Sequence, residues 1–388
     1  MNNLKTAGIV CEFNPFHYGH KYIIEYAKNN LNADAVICIM SGSFVQRGDT
    51  AVFDKWSRAK TAVQNGADLV IELPVYYVLQ SAQKFAYGAV KILNDLNCVD
   101  MLAFGSENSN MDLLNKISDL LYAEPEQFKA VIKDELKKGG GYPYAIDTAI
   151  KKSIDGNITL MPNDRLAINY LTALKKLNSN IQPAAIKRNN LYHSDIADNL
   201  FASATAVRKM IANKEDFSKF APNYNNVCIY DIKNIESLIL GFFRTVKADA
   251  IKNTVGFEDG FENLVIRAAR KSRTLNEFYD MLTSKRYTNH RVRRVVLCAL
   301  LGISGEFTAD YVRPLAFNKT GAKILSAVKA NSHLPIIAKT ADFNINKHSM
   351  LNIDIRATDI ASLCAQNINY RIAGKDYLIS PALVTSEL

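Results

Sequence analysis

The first hundred residues alternate between short apolar runs and amphipathic segments, and this alternation constrains the fold more than any other feature. The apolar runs predict buried strands at Thr6–Phe13, Ala35–Met40, Asp68–Leu73 and Val99–Phe104. The segments between them predict helices at Lys21–Asn29, Lys55–Asn65 and Ser81–Leu96. Buried strands joined by helices form a parallel sheet that is covered on both faces. The sequence therefore predicts an α/β fold whose ligands bind at the carboxyl ends of the strands.

The alternation weakens along the chain and does not return. Helices are expected at Met111–Lys138, Asn163–Lys176 and Ser203–Ala212, with one further strand at Ile181–Lys187. After about Asn225 the pattern is mostly helical. A chain of 388 residues is too long for one ordinary core. We therefore predict two domains, an α/β domain over residues 1–225 and a mostly helical, basic domain over 226–388.

Composition excludes several classes of protein. No run of eighteen apolar residues is present, so no membrane span is expected. The amino terminus lacks a secretory pattern. The six cysteines are scattered without a Cys-x-x-Cys spacing, which leaves zinc and redox motifs unsupported. We expect buried free thiols in a cytoplasmic protein and no metal site built by the protein alone.

The positive charge is concentrated in one segment. The formal net charge is +9, and Leu264–Val296 alone holds nine Lys or Arg against two acids, a net charge of +7. A concentrated basic segment is typical of a polyanion site. Since such runs are more often solvated helix faces, charge alone does not identify the partner.

The loop after the first predicted strand carries a His-x-Gly-His sequence. His17 and His20 lie three residues apart, where a strand ends and a helix begins. Helix N-termini present unpaired N–H groups, and Gly19 allows the backbone close to a ligand. Two imidazoles at this point can stabilise charge on an α-phosphate and on leaving pyrophosphate. Helix capping is the simpler interpretation of the four residues taken alone.

A second element begins the helix predicted at Ser203. Ser203 and Thr205 can bond phosphate oxygens, and Arg208 supplies positive charge. A simple N-cap is the more common explanation of such hydroxyls when the element is taken alone.

Longer strings resemble one family over nearly the whole chain. His17–His20 and Ser203–Arg208 resemble the His-x-Gly-His and Ser-x-Thr-x-x-Arg elements of Rossmann-like nucleotidyltransferases. The ordered set resembles the tRNA(Met) cytidine acetate ligases. The strings are GIVCEFNPFHYGH, MSGSFVQRGDTAVFDKWSRAK, DLVIELP, FGSEN, MPNDRLAINY, SATAVRK, SKRYTNHRVRR and YVRPLAFNKTGAKIL.

This resemblance implies a two-step reaction. Acetate attacks the α-phosphate of ATP to give acetyl-adenylate and pyrophosphate. The exocyclic amine of the wobble cytidine of elongator tRNA(Met) then takes the acetyl group, giving N4-acetylcytidine and AMP. Magnesium is expected to accompany the triphosphate. No stable protein partner is implied.

The resemblance also implies a set of site residues. His17 and His20 are the expected catalytic groups, and Gln46, Arg47, Lys55 and Arg58 are basic or polar residues near the second strand, of which Arg47 or Lys55 is expected to bind phosphate or acetate. The expected ATP-binding residues are Val10, Cys11, Glu12, Phe13, Asn14, Pro15, Phe16, His17, Gly19, His20, Gly105, Asn163, Arg188, Asn189, Ser203 and Thr205. The expected tRNA-binding residues are Lys285, Arg286, Tyr287, Arg291, Arg293 and Arg294, with His290 among them.

One segment departs from the family pattern. Tyr142 follows three glycines where a serine is expected, which leaves the role of the Gly139–Tyr142 loop open.

Two other functions fit parts of the sequence. A small-molecule adenylyl or cytidylyl transferase shares the two short elements but needs no basic helical half. A non-catalytic tRNA-binding protein needs the basic half but not the intact His17, Gly19 and His20.

Overall fold

A seven-stranded sheet organises the described part of the chain. The computed structural model describes residues 4–154, 158–187, 202–224, 227–343 and 349–385. The sheet has the strand order β7-β6-β1-β2-β5-β8-β9. Its strands are β1 (Thr6–Cys11), β2 (Ala35–Ser41), β5 (Leu69–Leu73), β6 (Met101–Ser106), β7 (Gln182–Lys187), β8 (Pro314–Phe317) and β9 (Ala382–Leu383). A separate hairpin consists of β3 (Phe44–Val45) and β4 (Asp49–Thr50).

The five strands from the first half are parallel, which confirms the predicted α/β fold. β1 pairs with both β2 and β6, so the chain order reverses at β1. Sheets of this doubly wound kind have a crevice between the two strands where the order reverses. The candidate site is therefore expected at the carboxyl ends of β1 and β6.

The helices of the first half cover both faces of the sheet. They begin at capping residues that the sequence supplies, such as Asp54, whose side chain accepts from the backbone of Ser57, and Ser81, which does the same for Lys84. The single helix predicted over 111–138 is two helices, because Glu124 is left-handed and Pro125 follows it. These helices are α1 (Tyr18–Asn29), α2 (Lys55–Gln64), α3 (Val75–Val78), α4 (Ala82–Asp95), α5 (Met111–Ala123), α6 (Glu126–Lys137), α7 (Tyr142–Ser153), α8 (Pro162–Lys176) and α9 (Ala204–Asn213).

The second half is mostly helical, as predicted, but it also returns to the sheet. β8 pairs antiparallel with β5, and β9 pairs parallel with β8. The division near residue 225 stays a prediction, with the addition that the second half completes one edge of the sheet. Its helices are α10 (Glu236–Thr245), α11 (Ala248–Ile251), α12 (Phe261–Lys271), α13 (Leu275–Leu282), α14 (Asn289–Leu300), α15 (Lys319–Asn331), α16 (Ser349–Ser362) and α17 (Lys375–Leu378).

Two apolar cores lie on opposite faces of the sheet. Along β2, Ile37 and Ile39 join one core, whereas Val36, Cys38 and Met40 join the other. This alternation follows from the two-residue period of a strand. The six cysteines are free thiols, five of them buried. Among the described helices, none is long and apolar enough to cross a membrane.

Candidate active site

A cleft of about 1080 Å³ opens at the point where the strand order reverses. Ile9–Asn14 at the end of β1 and Phe104 and Gly105 near the end of β6 line it. Among its described lining residues are four arginines and three carboxylates, with three histidines beside them. Cations and N–H donors in a crevice of this kind suit an anionic ligand such as a nucleoside triphosphate.

His17 and His20 form a stacked pair at the N-terminus of α1. Their ring centroids are 3.7 Å apart. The Nδ1 atom of His17 accepts from the backbone N–H of Gly19 at 3.1 Å, and Nδ1 of His20 accepts from the N–H of His17 at 3.2 Å. A neutral imidazole that accepts at Nδ1 carries its hydrogen at Nε2. Both rings line the cleft, and the capping role and the ligand-binding role are therefore compatible.

The rest of the Val10–His20 loop divides into lining and supporting residues. Asn14 lines the cleft, and its side-chain oxygen accepts from the N–H of Val52 at 2.8 Å. Pro15, which follows a cis peptide bond, and Phe16 are buried outside the lining, and Gly19 lies in the first turn of α1. These three residues support the loop rather than face the cleft.

The β3–β4 hairpin covers one side of the cleft. Its turn residues Gln46 and Arg47 line the cleft, and the backbone N–H of Gln46 donates to Oε1 of Glu12 at 2.6 Å. Burial raises the pKa of Glu12 above its ordinary value, and the nearby arginines partly offset this effect. Gly48 has φ of +75°, and a Cβ there would lie 2.6 Å from the backbone nitrogen of Arg294. The turn therefore packs directly on α14.

Two of the basic residues noted near the second strand, Lys55 and Arg58, lie behind the cleft, although Lys55 was one of the two candidates for binding phosphate or acetate. Lys55 is fully buried, and its Nζ contacts Glu72 and Asp376 at 2.8 Å each. Arg58 is also fully buried and donates to backbone carbonyls at the ends of β1 and β2. Lys55 is thus held in an ionic cluster, whereas Arg58 organises the strand ends.

Ser203, Thr205 and Arg208 form one group on α9 at the cleft. The Ser203 hydroxyl caps the helix by accepting from the N–H of Ala206 at 3.1 Å. Arg208 donates to the carbonyl of Asn14 at 2.7 Å and to the Thr205 hydroxyl at 3.2 Å. All three residues line the cleft. The capping interpretation is therefore confirmed for Ser203, and its position leaves the phosphate interpretation open.

Gly105 and Asn163 both line the cleft, on the wall formed by β6 and α8. The Asn163 side chain donates to Oε1 of Glu107 at 2.6 Å. Burial acts to raise the pKa of Glu107, but hydrogen bonds from Asn163 and Asp164 outweigh it and lower that pKa. Asp164 in turn accepts from the Ser106 hydroxyl and from the N–H groups of Glu107 and Asn108. The predicted pair Arg188 and Asn189 lies outside the described residues.

The second half contributes residues that the sequence did not point to. Tyr230, Asp231, Asn289 and Gln366 line the cleft although they lie beyond residue 225. Only one feature of the sequence could have indicated any of these residues, namely the short apolar run that ends at Tyr230. Polar residues also follow the apolar runs whose loops line the rest of the cleft. Burial raises the pKa of Asp49, and the facing Arg293, 3.3 Å away, opposes this shift.

His290 also lines the cleft from α14. Burial, with the positive charges of Arg47, Arg293 and Arg294, lowers the pKa of His290. This imidazole is therefore neutral at physiological pH.

The basic residues predicted to bind tRNA lie either on the exposed surface or beside the cleft and its hairpin. Lys285 and Arg286 are exposed, and Arg293 lines the cleft. Arg294 is partly buried and donates to the carbonyl of Gln46 at 3.2 Å. These side chains therefore extend from the exposed surface to the hairpin that covers the cleft.

Tyr287 does not present an open ring. Its ring stacks on Phe261 with centroids 4.0 Å apart, and the guanidinium of Arg291 lies 4.1 Å from its centroid. Only 6% of the residue is exposed. Tyr287 was predicted to contact tRNA, but its ring has no free face on which an RNA base could stack, because both faces already have protein partners.

Comparisons with known proteins agree with this arrangement. The family model for HIGH nucleotidyl transferases matches residues 4–376. The tRNA(Met) cytidine acetate ligases of Acetivibrio thermocellus, Clostridium perfringens and Thermoanaerobacter sp. are 34%, 36% and 37% identical to the chain. They cover 96–98% of the chain, which in turn covers 98–100% of each of them. The chain belongs to the tRNA(Met) cytidine acetate ligase family. The resemblance seen in the sequence is thereby confirmed.

Solved structures of this ligase family have the same fold. The Thermotoga maritima protein bound with alpha-thio ATP superposes with a TM-score of 0.88 at 29% identity and covers 98% of the chain. The apo form of that protein gives a TM-score of 0.87. The chain covers 100% of both. Both halves of the chain, and not the sheet alone, therefore follow the architecture of this ligase family.

Proposed function

We propose that this chain is an ATP-dependent ligase that activates acetate as acetyl-adenylate and transfers the acetyl group to the wobble cytidine of elongator tRNA(Met). The observation that carries the proposal is the stacked His17–His20 pair, which lines the cleft at the N-terminus of α1. Relatives that bear this activity in their names align over the whole chain, including the helical half. That coverage disfavours a small-molecule nucleotidyltransferase, which needs no such half.

The first step forms acetyl-adenylate from the MgATP complex. A carboxylate oxygen of acetate attacks the α-phosphorus, and the bond to the β-phosphate oxygen breaks to release pyrophosphate. The Nε2–H groups of His17 and His20 and the guanidinium of Arg208 stabilise the charge that grows on these oxygens. Among the described residues, no group of three potential ligands could hold a metal ion. Magnesium enters with the triphosphate, as part of the nucleotide substrate.

The second step moves the acetyl group to RNA. The exocyclic amine of cytidine attacks the acyl carbon, the amine loses one proton, and AMP departs. No protein nucleophile takes part, so the enzyme acts by positioning and by stabilising charge. Lys285, Arg286 and Arg293 are placed to contact RNA phosphates between the exposed surface and the cleft.

Radiolabelled acetate tests both steps. The purified protein is incubated with ATP, magnesium and labelled acetate, with and without elongator tRNA(Met), and label in RNA is counted. ATP–pyrophosphate exchange that requires acetate is measured in parallel to isolate the first step. His17→Ala and His20→Ala each remove one cleft donor and are expected to lower exchange by about 10²–10³-fold. The exposed His333 supplies the matched control, because His333→Ala leaves the cleft intact.

The outcomes separate the competing functions. Label in tRNA that is lost with either cleft histidine establishes the ligase. Exchange without RNA labelling retains the adenylation step but removes the tRNA assignment. Absence of exchange under every condition contradicts the proposal and leaves an RNA-binding protein with a nucleotide-binding fold.

A further inference from the structure

Two tyrosines at the start of α7 expose their rings to solvent. Tyr144 is 61% exposed and Tyr142 is 51% exposed. Most other aromatic side chains in the described part of the chain are buried, and exposing an aromatic ring has no benefit for folding. Two exposed rings in one helical turn are therefore available for contact with another molecule.

The Gly139–Gly141 run lies against one of these rings, that of Tyr144. A Cβ at Gly140 would lie 3.2 Å from Cδ1 of Tyr144 and 2.9 Å from the carbonyl oxygen of Glu135. The missing side chain lets the Tyr144 ring rest close to the backbone. A ring held in this way loses little conformational entropy when a ligand stacks on it. This close packing explains the glycine at position 140, whose role the sequence alone did not indicate.

The same run places the tyrosines against the basic segment. A Cβ at Gly141 would lie 3.0 Å from the carbonyl oxygen of Lys285. Lys285 and Arg286 are both exposed, the latter by 75% of its side chain. Arg286 also pairs with Glu258, so its charge is partly neutralised. Exposed aromatic rings beside exposed cations are the two components from which proteins build single-stranded RNA sites.

The tyrosines also connect to the mouth of the cleft. Asp147, one turn further along α7, accepts from the Arg165 guanidinium at 2.8 Å. Arg165 itself lines the cleft, as do its neighbours Pro162 and Asn163. A nucleic-acid strand that places one base in the cleft therefore passes close to α7.

We propose that Tyr142 and Tyr144 form a stacking platform for unpaired nucleobases that flank the base entering the cleft. This inference rests on the proposed function for the identity of the RNA, but not for the existence of the platform. The rings take the base faces, while Lys285 and Arg286 contact the neighbouring phosphates. The platform would provide the aromatic contact with RNA that Tyr287 cannot provide, because the ring of Tyr287 is enclosed.

The test compares ring-removing and ring-retaining variants. The double variants Y142L/Y144L and Y142A/Y144A remove both rings, Y142F/Y144F retains them, and Y377A removes an exposed tyrosine on α17, which is 40% exposed. Each protein is titrated with elongator tRNA(Met) and with an anticodon stem-loop that carries 2-aminopurine in the loop. Acetate-dependent ATP–pyrophosphate exchange, which needs no RNA, reports whether each variant is folded and active.

The expected result is a rise in Kd of about 30-fold or more for the Leu and Ala double variants, because stacking contributes about 1–3 kcal/mol per base and each variant removes two rings. The fluorescence quench of 2-aminopurine is lost in these variants and kept in Y142F/Y144F and Y377A. Pyrophosphate exchange and the salt dependence of binding remain unchanged, since no charge is removed. Wild-type affinity and quenching in the Leu and Ala variants overturn the platform while the ligase stands. If the wild type fails to acetylate any tRNA, the proposed function fails, and the titrations still decide the platform.

Discussion

At the scale of single residues, Arg58 determines the geometry of the cleft without facing it. Its guanidinium donates to the carbonyls of Glu12, at 2.5 Å, and Ser41, at 3.1 Å, and also to that of Gly42. Its Nε–H donates to Phe53 at 3.0 Å. One buried side chain therefore joins the ends of β1 and β2 to the loop that leads into the hairpin. Lysine cannot reproduce this planar set of donors.

Arg58→Lys is expected to weaken both folding and nucleotide binding. Leaving buried carbonyl groups without donors costs about 1–3 kcal/mol for each group, so we expect a loss of several kcal/mol in the free energy of unfolding. The KM for ATP rises because the ends of β1 and β2, one of which leads into the His17 loop, are no longer joined by the hydrogen bonds of the Arg58 guanidinium. Urea denaturation and ATP–pyrophosphate exchange measure the two effects.

Arg244 provides a matched control for this prediction. It also donates to two backbone carbonyls, those of Ala269 and Ser272, but it lies in the second half and outside the cleft lining. Arg244→Lys is expected to lower stability and leave the KM for ATP unchanged. An unchanged KM in Arg58→Lys as well would show that the strand ends hold their geometry by other means.

At the scale of elements, the β6–α8 wall of the cleft depends on two carboxylates that cap each other's segment. Glu107 accepts from Asn163 and from the N–H of Asp164 at 3.0 Å, which satisfies the first turn of α8. Asp164 accepts from the Ser106 hydroxyl at 2.5 Å and from two backbone N–H groups of the loop. The loop after β6 and the start of α8 are therefore fixed together, and Gly105 and Asn163 both line the cleft beside them.

Asp164→Ala is expected to loosen this wall. The change leaves three donors of the 106–108 loop without their acceptor, and at about 1–3 kcal/mol for each unpaired group the expected loss of stability is several kcal/mol. ATP binding weakens because Gly105 and Asn163 lose their fixed spacing. Thermal denaturation and the KM for ATP are the measurements. Asp112→Ala, which removes an exposed acid from the first turn of α5, is the control and should affect neither by more than a few tenths of a kcal/mol.

At the scale of the whole molecule, the sequence predicts the parallel strands of the sheet more readily than the two edge strands, β8 and β9, that the second half adds to it. The strands β1, β2, β5 and β6 are continuous apolar runs, and the helical segments between them predict a parallel sheet from the sequence alone. β8 and β9 were missed because they are short and depend on pairing with β5 rather than on their own pattern. Local propensity is a weak guide for such edge segments.

The residues of the candidate site also differ in how readily the sequence identifies them. The His17 loop, Ser203 and Thr205 were identifiable because each lies beside a local signal, the end of a strand or the start of a helix. Asp231, Asn289 and Gln366 reach the cleft only through the packing of the second half on the first. The sequence gives no sign that the ring of Tyr287 is enclosed for a related reason, since its neighbours Phe261 and Arg291 contact it only in the folded chain.

A buried ionic cluster joins the two halves behind the cleft. Lys55 and Glu72 from the first half meet Arg313, Asp354 and Asp376 from the second half, and each of the five is less than 5% exposed. Asp354 accepts from the N–H of Val75 at 2.7 Å and from the hydroxyl of Tyr311. Breaking one member of such a cluster is costly because the remaining charges stay buried. The two halves are therefore expected to unfold together.

Asp354 makes the stability of this cluster depend on pH. Burial, with the negative charge of Glu72, raises the pKa of Asp354 to about 7. An aspartate in the unfolded chain has a pKa of about 3.9, so between about pH 4 and pH 7 the folded protein binds one more proton at this site. Stability from this group is fully present below pH 4 and is lost as the pH rises to about 7, by up to about 1.4 kcal/mol per pH unit.

Asp354→Asn is expected to remove that slope. Asparagine is the neutral analogue of the protonated acid, since its oxygen can accept from Val75 while its amide donates to the oxygen of Tyr311. Urea denaturation of both proteins from pH 4.5 to pH 7.5 should show the variant gaining stability relative to the wild type as the pH rises. Asp342→Asn, at an exposed aspartate, should follow the wild type throughout. A constant difference between Asp354→Asn and the wild type across this range would mean that Asp354 keeps one protonation state, so that the cluster joins the halves without responding to pH.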